Sequence, residues 1–365
     1  MAACGSSAEW QAVESYDGSQ EWPGPRGGSY TFEALTDEAP HEDIKELAKH
    51  TYDGHDFISV LFPVWLARPG QSWMCGIRYT PHPTCEDFAA ETSVGQPRRP
   101  ASGIVAFMLL DMLDNGSTGW LEALRVHPDH RKQGLARKIS ALVNWQAKQR
   151  AGCKRIRYTT TTRNKASLKI AAGLGMKEVQ RWLFIAEPMG DNTSGFLKAL
   201  EARSLSPSAD QSLLEKSITL CTPAEATEHL AAAAERHPVL LHDWVARNNT
   251  QHTVSELQEQ KARFFYSIQD GSVSWCSSRA VYSGDMLHLV GLAAPSAAST
   301  AAHIALHTRL AQQEQRESLW VFASYAYQQQ LTDWGLCGIG GVKNVPQASP
   351  VCVMVQADFG PADGE

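Results

Sequence analysis

The sequence has few of the features that mark membrane, secreted or nucleic-acid-binding proteins. No apolar run reaches the ~20 residues that a membrane-crossing helix needs. The opening stretch, MAACGSSAEW, lacks the basic and apolar regions of a secretory signal. Positive charge is not in excess, because the formal net charge is −6, and this argues against a general affinity for nucleic-acid phosphates. We therefore expect a cytoplasmic protein that has neither nucleic-acid nor membrane partners.

Closely spaced cysteine pairs are also missing. The eight cysteines are scattered, and none belongs to a CxxC pair. The sequence therefore lacks the ligand spacing of zinc sites and shows no disulfide framework. We expect reduced, mostly buried thiols in a cytosolic protein, and no bound metal.

The 365 residues are enough for two or three domains with complete hydrophobic cores. Residues 1–28 are rich in Gly, Ser and Pro, and their composition predicts a disordered tail. Strand and helix patterns fill residues 29–189, which predicts a first domain. The polar stretch 190–213 predicts a linker, and a second α/β pattern covers residues 214–365.

The two halves repeat one order of elements although their sequence identity is negligible. The first half reads LEALRV, helix, RIRYTTTT, helix, GLGM, and the second reads LHLVGL, helix, LWVFAS, helix, WGLC. We infer a mixed-sheet α/β fold that is duplicated, with a degenerate second copy that has lost the glycine-rich turn of the first. Two unrelated α/β domains are the alternative.

That turn lies in LRVHPDHRKQGLARK (124–138), between a predicted strand and a predicted helix. The N–H groups of a first helical turn have no intrahelical acceptor, and the helix dipole favours an anion beside them. Small residues at Gly134 and Ala136 let an anion approach closely. The spacing R-x-x-G-x-A therefore predicts a pyrophosphate-binding turn. Its expected cofactor contacts are Leu124, Val126, Arg131, Lys132, Gln133, Gly134, Leu135 and Ala136.

This arrangement resembles motif A of the GNAT superfamily of N-acetyltransferases. The resemblance implies the GNAT acetyltransferase fold, with acetyl-coenzyme A held at the turn by its pyrophosphate. The later segment NKASLKIAAGLGM (164–176) is similar to a second helix of the superfamily. This similarity implies that Asn164 contacts the pantetheine arm and that Ser167 belongs to the cofactor site. Asn164 is also suited to cap that helix.

One position departs from the superfamily pattern. Members often have a tyrosine in this second helix, where it protonates the departing thiolate, but this sequence has Ala171. Water or another hydroxyl must then supply the proton. Tyr158 is the candidate, but an ordinary strand aromatic is the preferred interpretation of this residue.

Amide formation from an ammonium group requires a base. Glu122 lies on the strand that enters the turn, and strand alternation predicts that Glu122, Leu124 and Val126 share one face. Some small-amine acetyltransferases of the superfamily have a glutamate here, which implies a base that acts directly or through water. His127 is the alternative base because an imidazole titrates near neutral pH. A salt-bridged carboxylate without a catalytic role is the other interpretation of Glu122.

The segment TYDGHDFISVLFPVWL (51–66) is a candidate acceptor site because it gathers polar and aromatic side chains. Tyr52, His55, Asp56 and Trp65 are suited to bind an ammonium group or to stack on a flat ring. The alternative is that the aromatic residues of this segment belong to the core.

This segment and GWLEALRVHPDHRKQGLA (119–136) are similar to the histidine N-acetyltransferase family. The resemblance implies acetylation of the α-amino group of free L-histidine or a related amino acid. The amine would attack directly in a ternary complex, with Glu122 as base. Two other functions stay open, namely acetylation of protein N-termini or lysines, and a non-catalytic module that binds coenzyme A. The sequence does not indicate the oligomeric state.

Overall fold

The computed structural model of the protein describes residues 21–51, 54, 56–82, 102–150, 152–189, 198–199, 217–280, 286–334, 336 and 351–359. The chain forms two compact units. The first comprises Met1–Arg157, Lys169–Lys177 and Gln356–Glu365, and the second comprises Tyr158–Leu168 and Glu178–Val355. The predicted linker lies outside the described residues except at 198–199, so the predicted domain limits stay a prediction. Within the described residues, no helix is long and apolar enough to cross a bilayer.

The first unit is built on a sheet flanked by helices. Its elements in chain order are β1 (Glu21–Pro23), β2 (Ser29–Ala34), α1 (His41–Ala48), α2 (Ile58–Leu66), β3 (Ser72–Thr80), β4 (Gly103–Leu113), β5 (Thr118–Val126) and α3 (Leu135–Gln149). Two further elements, β6 (Arg155–Thr161) and α4 (Lys165–Gly173), contribute residues to both units. The strands follow the order β1-β2-β3-β4-β5-β6. Neighbours from β1 to β5 are antiparallel, and β5 and β6 are parallel.

Successive side chains of β4 point to opposite faces of the sheet, and each face packs against helices. Phe107 packs with Ile44 of α1 and Phe62 of α2 in one core. On the other face, the sulfur of Met108 accepts a hydrogen bond from the hydroxyl of Ser140 of α3. Because successive strand residues point to opposite faces, the sheet separates α1 and α2 from α3.

Two sequence predictions for this unit are confirmed. The predicted apolar stripe of α3 is buried, and it consists of Leu135, Ile139, Leu142, Val143 and Ala147. The predicted hairpin turn between β4 and β5 has positive φ angles of 54°, 57° and 82° at Asp114, Asn115 and Gly116. Asn, Asp and Gly are the residues that adopt this conformation most readily.

The predicted disordered tail extends too far, because residues 21–28 are structured. β1 pairs with β2 and brings Trp22 opposite Tyr30. The Trp22 ring lies 5.7 Å from that of Tyr30 and 4.8 Å from that of Phe32. Contact between these aromatic rings stabilises a strand in a segment of low apolar content. The prediction is therefore wrong for residues 21–28, while residues 1–20 lie outside the described part of the chain.

The second unit is built from further strands and helices. Its further elements are β7 (Lys177–Pro188), β8 (Ile218–Cys221), α5 (Pro223–Ala232), β9 (Val239–His242), β10 (Val245–Asn248), α6 (Gln251–Glu259), β11 (Arg263–Ser267), β12 (Val273–Ala280), β13 (Met286–Ala293), α7 (Ala297–Gln313), β14 (Ser318–Ser324), α8 (Gln328–Asp333) and β15 (Val351–Asp358). The strand order is β15-β7-β14-β13-β12-β11-β8, and β9 and β10 form a separate hairpin. The end of β15, from Gln356 onwards, belongs to the first unit. This hairpin and α6 were not predicted from the sequence.

The order of elements in the first unit recurs in the second. Antiparallel β4 and β5 lead through α3 to β6, which is parallel to β5. Antiparallel β12 and β13 lead in the same way through α7 to β14, which is parallel to β13. The predicted duplication of a mixed-sheet α/β fold is therefore confirmed.

The two equivalent helices begin differently. α3 begins after Gly134 without a side-chain cap. α7 begins after Ser296, whose side chain accepts the N–H of Ser299. The hydroxyl of Ser299 in turn donates to the carboxylate of Asp270. The second copy therefore satisfies its helix start internally, as expected of a degenerate copy.

Five of the eight cysteines lie in the described part of the chain, and all five are free thiols. They are Cys75, Cys153, Cys221, Cys276 and Cys352. The reduced state of the thiols in the cell stays a prediction.

Candidate active site

The turn before α3 presents backbone N–H groups and cationic side chains to the outside. Gly134 has a φ of +78°, a left-handed conformation that favours glycine. The N–H of Lys138 is the first in the helix to bond back, to the carbonyl of Gly134. The N–H groups of the three preceding residues therefore point out of the helix start. Arg131 and Lys132 are exposed beside them.

The space in front of this turn is open. A Cβ atom built on Gly134 would meet no other atom within 4 Å. The Nε of Arg131 donates to the carbonyl of Val126 at 3.2 Å, which fixes the guanidinium beside the end of β5. Gln133 is exposed, whereas Leu135 is buried and anchors the helix start in the core. An uncapped helix start with two cations and free space fits a pyrophosphate group.

The strand that leads to the turn contains a β-bulge. Glu122 pairs with Leu109, but Val126 pairs with Ala106, so the register shifts between them. Ala123 has a positive φ of 60° at this place. Leu109 and Ala106 point to opposite faces of β4, and so do their partners. The prediction that Glu122, Leu124 and Val126 share one face is therefore wrong.

The bulge brings Glu122 onto the same face as Arg125. Arg125 pairs with Phe107, two residues from Leu109 along β4. Glu122 is half-buried, and its carboxylate accepts the indole N–H of Trp120 at 3.1 Å. Without the bulge, the three-residue spacing of the glutamate and the arginine would have put them on opposite faces.

The predicted acceptor residue Asp56 is buried and paired with Arg125. Its two carboxylate oxygens accept hydrogen bonds from Nε and Nη2 of Arg125 at 2.5 and 2.9 Å. It also accepts the backbone N–H of Ile58 at 3.3 Å. The Arg125 guanidinium lies 5.4 Å from the ring centre of Phe57. The Asp56 carboxylate is therefore engaged inside the protein.

Sequence reasoning missed Arg125. The available signal was an arginine inside the otherwise apolar strand LEALRV, which needs a partner when the strand is buried. Trp65, a predicted acceptor residue, lies in the core, where its ring stacks on that of Phe107 at 6.0 Å. Tyr52 and His55 lie outside the described residues.

The alternative base His127 is buried at the end of β5. Its Nδ1 accepts the backbone N–H of Asp129 at 3.3 Å, so the ring proton lies on Nε2. The imidazole of His50 stands edge-on to it, with the ring centres 4.4 Å apart. Burial and the neighbouring His50 lower the pKa of His127, which favours a neutral imidazole.

In the second unit, Tyr158, Asn164 and Ser167 form a local hydrogen-bonded group. The Tyr158 hydroxyl donates to the Ser167 carbonyl at 2.7 Å, and burial raises the pKa of Tyr158. The Asn164 side chain accepts the N–H of Ser167 at 3.2 Å, so it caps α4. Ala171, where the superfamily often has a tyrosine, is buried in the first unit.

The comparisons with known proteins agree with this geometry. Residues 74–176 match the acetyltransferase (GNAT) family. A GCN5-related N-acetyltransferase from Sphaerobacter thermophilus is 12% identical, with a TM-score of 0.53 over 93% of this chain and 98% of that one. A tandem GNAT protein from the clavulanic acid biosynthesis pathway is 14% identical, with a TM-score of 0.50 over 92% of this chain and 100% of that one. No curated protein sequence matches the chain.

The matched segment includes the uncapped turn, the bulged strand and all of α4. At such low identity, the two solved structures establish the fold alone. The fold is thus that of the GNAT acetyltransferases, and it is duplicated. The segment 74–176 is therefore similar to the acetyltransferase (GNAT) family in sequence, within a chain that has the fold of those proteins.

Proposed function

We propose that the protein acetylates the α-amino group of a free amino acid, with L-histidine as the expected acceptor. The catalytic part of this proposal rests on the position of Glu122. This residue is a half-buried carboxylate on the strand that enters the uncapped turn of α3. The choice of acceptor rests on the resemblance of residues 51–66 and 119–136 to the histidine N-acetyltransferases.

The turn before α3 is the proposed binding site for the pyrophosphate of the donor. The outward N–H groups at the start of α3 would donate to phosphate oxygens, and Arg131 and Lys132 would balance their charge. The open space in front of Gly134 supports this assignment, because a phosphate needs close access to the backbone. Acetyl-coenzyme A supplies the activated acetyl group as a thioester.

Glu122 is the proposed base. It would take one proton from the acceptor ammonium group, directly or through water, so that the neutral nitrogen can attack the thioester carbonyl. The new C–N bond forms and the nitrogen releases its second proton to water, as the C–S bond breaks and the coenzyme A thiolate leaves. Trp120 donates to the same carboxylate and would fix its direction.

His127 is the second candidate base, favoured by its low pKa and neutral ring. A neutral imidazole can accept a proton, but the Nδ1 lone pair already receives the N–H of Asp129. Glu122 is preferred because a carboxylate has two oxygen atoms that can accept hydrogen bonds or a proton, whereas the Nδ1 lone pair of a neutral imidazole is a single acceptor.

The roles of Tyr158, Asn164 and Ser167 are proposed from the superfamily resemblance. Tyr158 would return a proton to the thiolate, and its raised pKa keeps the phenol protonated at neutral pH. Asn164 caps α4 through its side-chain oxygen. Its side-chain NH₂ group supplies the donor for the proposed contact with the pantetheine arm.

At the acceptor site, Asp56 is assigned a positioning role. Its carboxylate holds Arg125 beside Phe57, on the face that carries Glu122. Trp65 lies in the core, where its ring stacks on that of Phe107, the β4 residue that pairs with Arg125. Direct contacts with the imidazole or the carboxylate of the acceptor are proposed for Tyr52 and His55.

Thiol release from acetyl-coenzyme A tests the proposal, with the twenty free amino acids, histamine and a short peptide as acceptors. Turnover with L-histidine but little with histamine would support a site that reads both imidazole and carboxylate. Turnover with the peptide alone would overturn the amino-acid assignment in favour of a protein acetyltransferase. Coenzyme A binding without turnover on any acceptor would indicate a binding module.

A further inference from the structure

A continuous row of buried polar side chains runs through the second unit, between α7 and the strand pair β12–β13. His303 and His307 lie on α7 and His288 on β13, and all three are fully buried. Ser272 and Ser274, just before and within β12, connect them and are also buried. A core with so many polar groups needs every hydrogen bond satisfied.

The carboxylate at one end fixes the direction of these hydrogen bonds. Asp270 can only accept, so the hydroxyl of Ser272 donates to it at 2.6 Å. The Ser272 oxygen is then left to accept from Nε2 of His303 at 2.9 Å. The Nδ1 of His303 is consequently a lone pair, and it accepts from the hydroxyl of Ser274 at 2.8 Å.

The same reasoning continues to the far end of the row. Ser274 accepts from Nε2 of His307 at 2.8 Å, so Nδ1 of His307 carries a lone pair. That lone pair accepts from Nε2 of His288 at 3.2 Å. The Nδ1 of His288 is then a lone pair as well. It is buried and makes no hydrogen bond in the described part of the protein.

This unsatisfied nitrogen faces an anion. The Nδ1 of His288 lies 3.9 Å from a carboxylate oxygen of Glu314. A lone pair opposite a carboxylate is unfavourable, and a buried polar atom without a hydrogen-bond partner destabilises the fold. The row of hydrogen bonds therefore ends at a lone pair that faces a carboxylate, and a positive charge at this place would be favourable.

A third ligand stands beside the last two histidines. One ligand atom each of Cys276, His288 and His307 lies within 4.8 Å of the others. The separation of 3.2 Å between Nε2 of His288 and Nδ1 of His307 matches the edge of a tetrahedral site, since two bonds of about 2.0 Å give about 3.3 Å. The sequence could not indicate this group, because its members come from two strands and a helix.

We propose that Cys276, His288 and His307 bind a thiophilic d¹⁰ metal ion, either Zn²⁺ or Cu⁺. Cys276 would bind as a thiolate and release its proton to solvent. The proton of His288 would move from Nε2 to Nδ1, which frees Nε2 for the metal. The new Nδ1–H would point to Glu314, so metal binding satisfies the unpaired nitrogen.

The surrounding residues already have the arrangement that supports metal ligands. His307 donates its other ring N–H to Ser274, and such hydrogen bonds orient ligating histidines. Glu314 would do the same for His288. Thiolate and Cu⁺ together are neutral, whereas thiolate and Zn²⁺ leave one positive charge that Glu314 offsets. Arg263, which donates to the sulfur at 3.7 Å, is partly exposed and keeps its own partner Glu314.

Metal content of the full-length protein tests this proposal. The protein would be produced in medium supplemented with Zn²⁺ or with Cu⁺ generated in the cell, because a fully buried site fills during folding. Cys276→Ser removes the sulfur ligand, and Cys352→Ser is the matched control, since Cys352 is equally buried in the second unit. His288→Gln is a second ligand variant in case Cys276→Ser does not fold.

We expect one bound ion per chain in the wild type and in Cys352→Ser, in one of the two media. The two ligand variants should contain at least about tenfold less metal. A strong chelator added during refolding should lower the thermal midpoint of the wild type but not that of the ligand variants. Folded wild type without stoichiometric metal in either medium would overturn the proposal, as would equal metal in wild type and His288→Gln.

Discussion

Asp56 and Arg125 form a bidentate ion pair across 69 residues of sequence, with both side chains largely buried. The pair ties the segment before α2 to the bulged strand β5. Arg125 reaches this face only because the bulge at Ala123 shifts the register of β5. A buried pair is sensitive to the loss of one partner, since the other charge is left uncompensated.

We predict that Asp56→Ala lowers the free energy of unfolding by about 3–5 kcal/mol. The half-exposed pair of Glu33 and Arg78 in the same unit is the matched control, and Glu33→Ala should cost at most about 1 kcal/mol. Urea unfolding followed by tryptophan fluorescence measures both. Similar losses of unfolding free energy in the two variants would show that the buried pair stabilises the protein no more than the half-exposed pair does.

The role of the turn can be separated from its backbone strain by two isosteric variants. Gly134→Asn and Gly134→Asp both place a side chain in open space, and both residues tolerate the left-handed conformation. Only the Asp variant adds a negative charge beside the proposed phosphate site. We expect its affinity for coenzyme A to be about tenfold lower than that of the Asn variant, with equal thermal midpoints. Equal coenzyme A affinities of the two variants, measured by calorimetry, would show that no phosphate group binds at this turn.

Glu122→Gln tests the proposed base. The amide oxygen can still accept from Trp120, so the fold and the coenzyme A affinity should not change. Turnover should fall by about 10²–10⁴-fold, because glutamine cannot take a proton. Glu33→Gln, on β2 of the same unit, serves as the control. Wild-type turnover of Glu122→Gln at all pH values between about 6 and 9 would exclude it as base.

The buried histidines predict acid sensitivity of the metal-free second unit. Burial lowers the pKa of His288 and His303 to about 4, and that of His307 falls well below its usual value. An unfolded histidine titrates near about 6.5. Below that pH the unfolded chain binds protons that the folded unit cannot, so stability falls as pH decreases. His288 and His303 each contribute up to about 1.4 kcal/mol per pH unit between about 6.5 and about 4.

Urea midpoints of chelator-treated protein at a series of pH values measure this effect. His303→Gln should reduce the slope of stability against pH. His252→Gln is the control, because its side chain is partly exposed on α6. A urea midpoint that does not change over this pH range would contradict the prediction.

Local patterns were enough to predict much of the fold. The apolar stripe of α3, the turn at residues 114–116 and the repeated order of elements all depend on residues close in sequence. The uncapped turn at Gly134 was predictable for the same reason. Each of these features is fixed by helix periodicity or by the special backbone angles of Asn, Asp and Gly.

The features that sequence reasoning missed depend on distant partners. The bulge at Ala123 is a property of how β5 pairs with β4, and nothing in LEALRV marks the extra residue. β1 is stabilised by the contacts of the Trp22 ring with those of Tyr30 and Phe32 on β2. The group of Cys276, His288 and His307 is assembled by the parallel crossover through α7, which no ligand spacing could reveal.

The strand β15 has a consequence for how the protein is made. Arg157 of the first unit is buried, and its Nε donates to Gln356, which lies 199 residues further along the chain. Arg155 pairs with Asp358 at 3.3 Å, and the N–H of Phe359 donates to the carbonyl of Lys154. Contacts of such long sequence separation form late in folding. During synthesis, the first unit must therefore wait for the whole second unit to leave the ribosome before its own edge is complete.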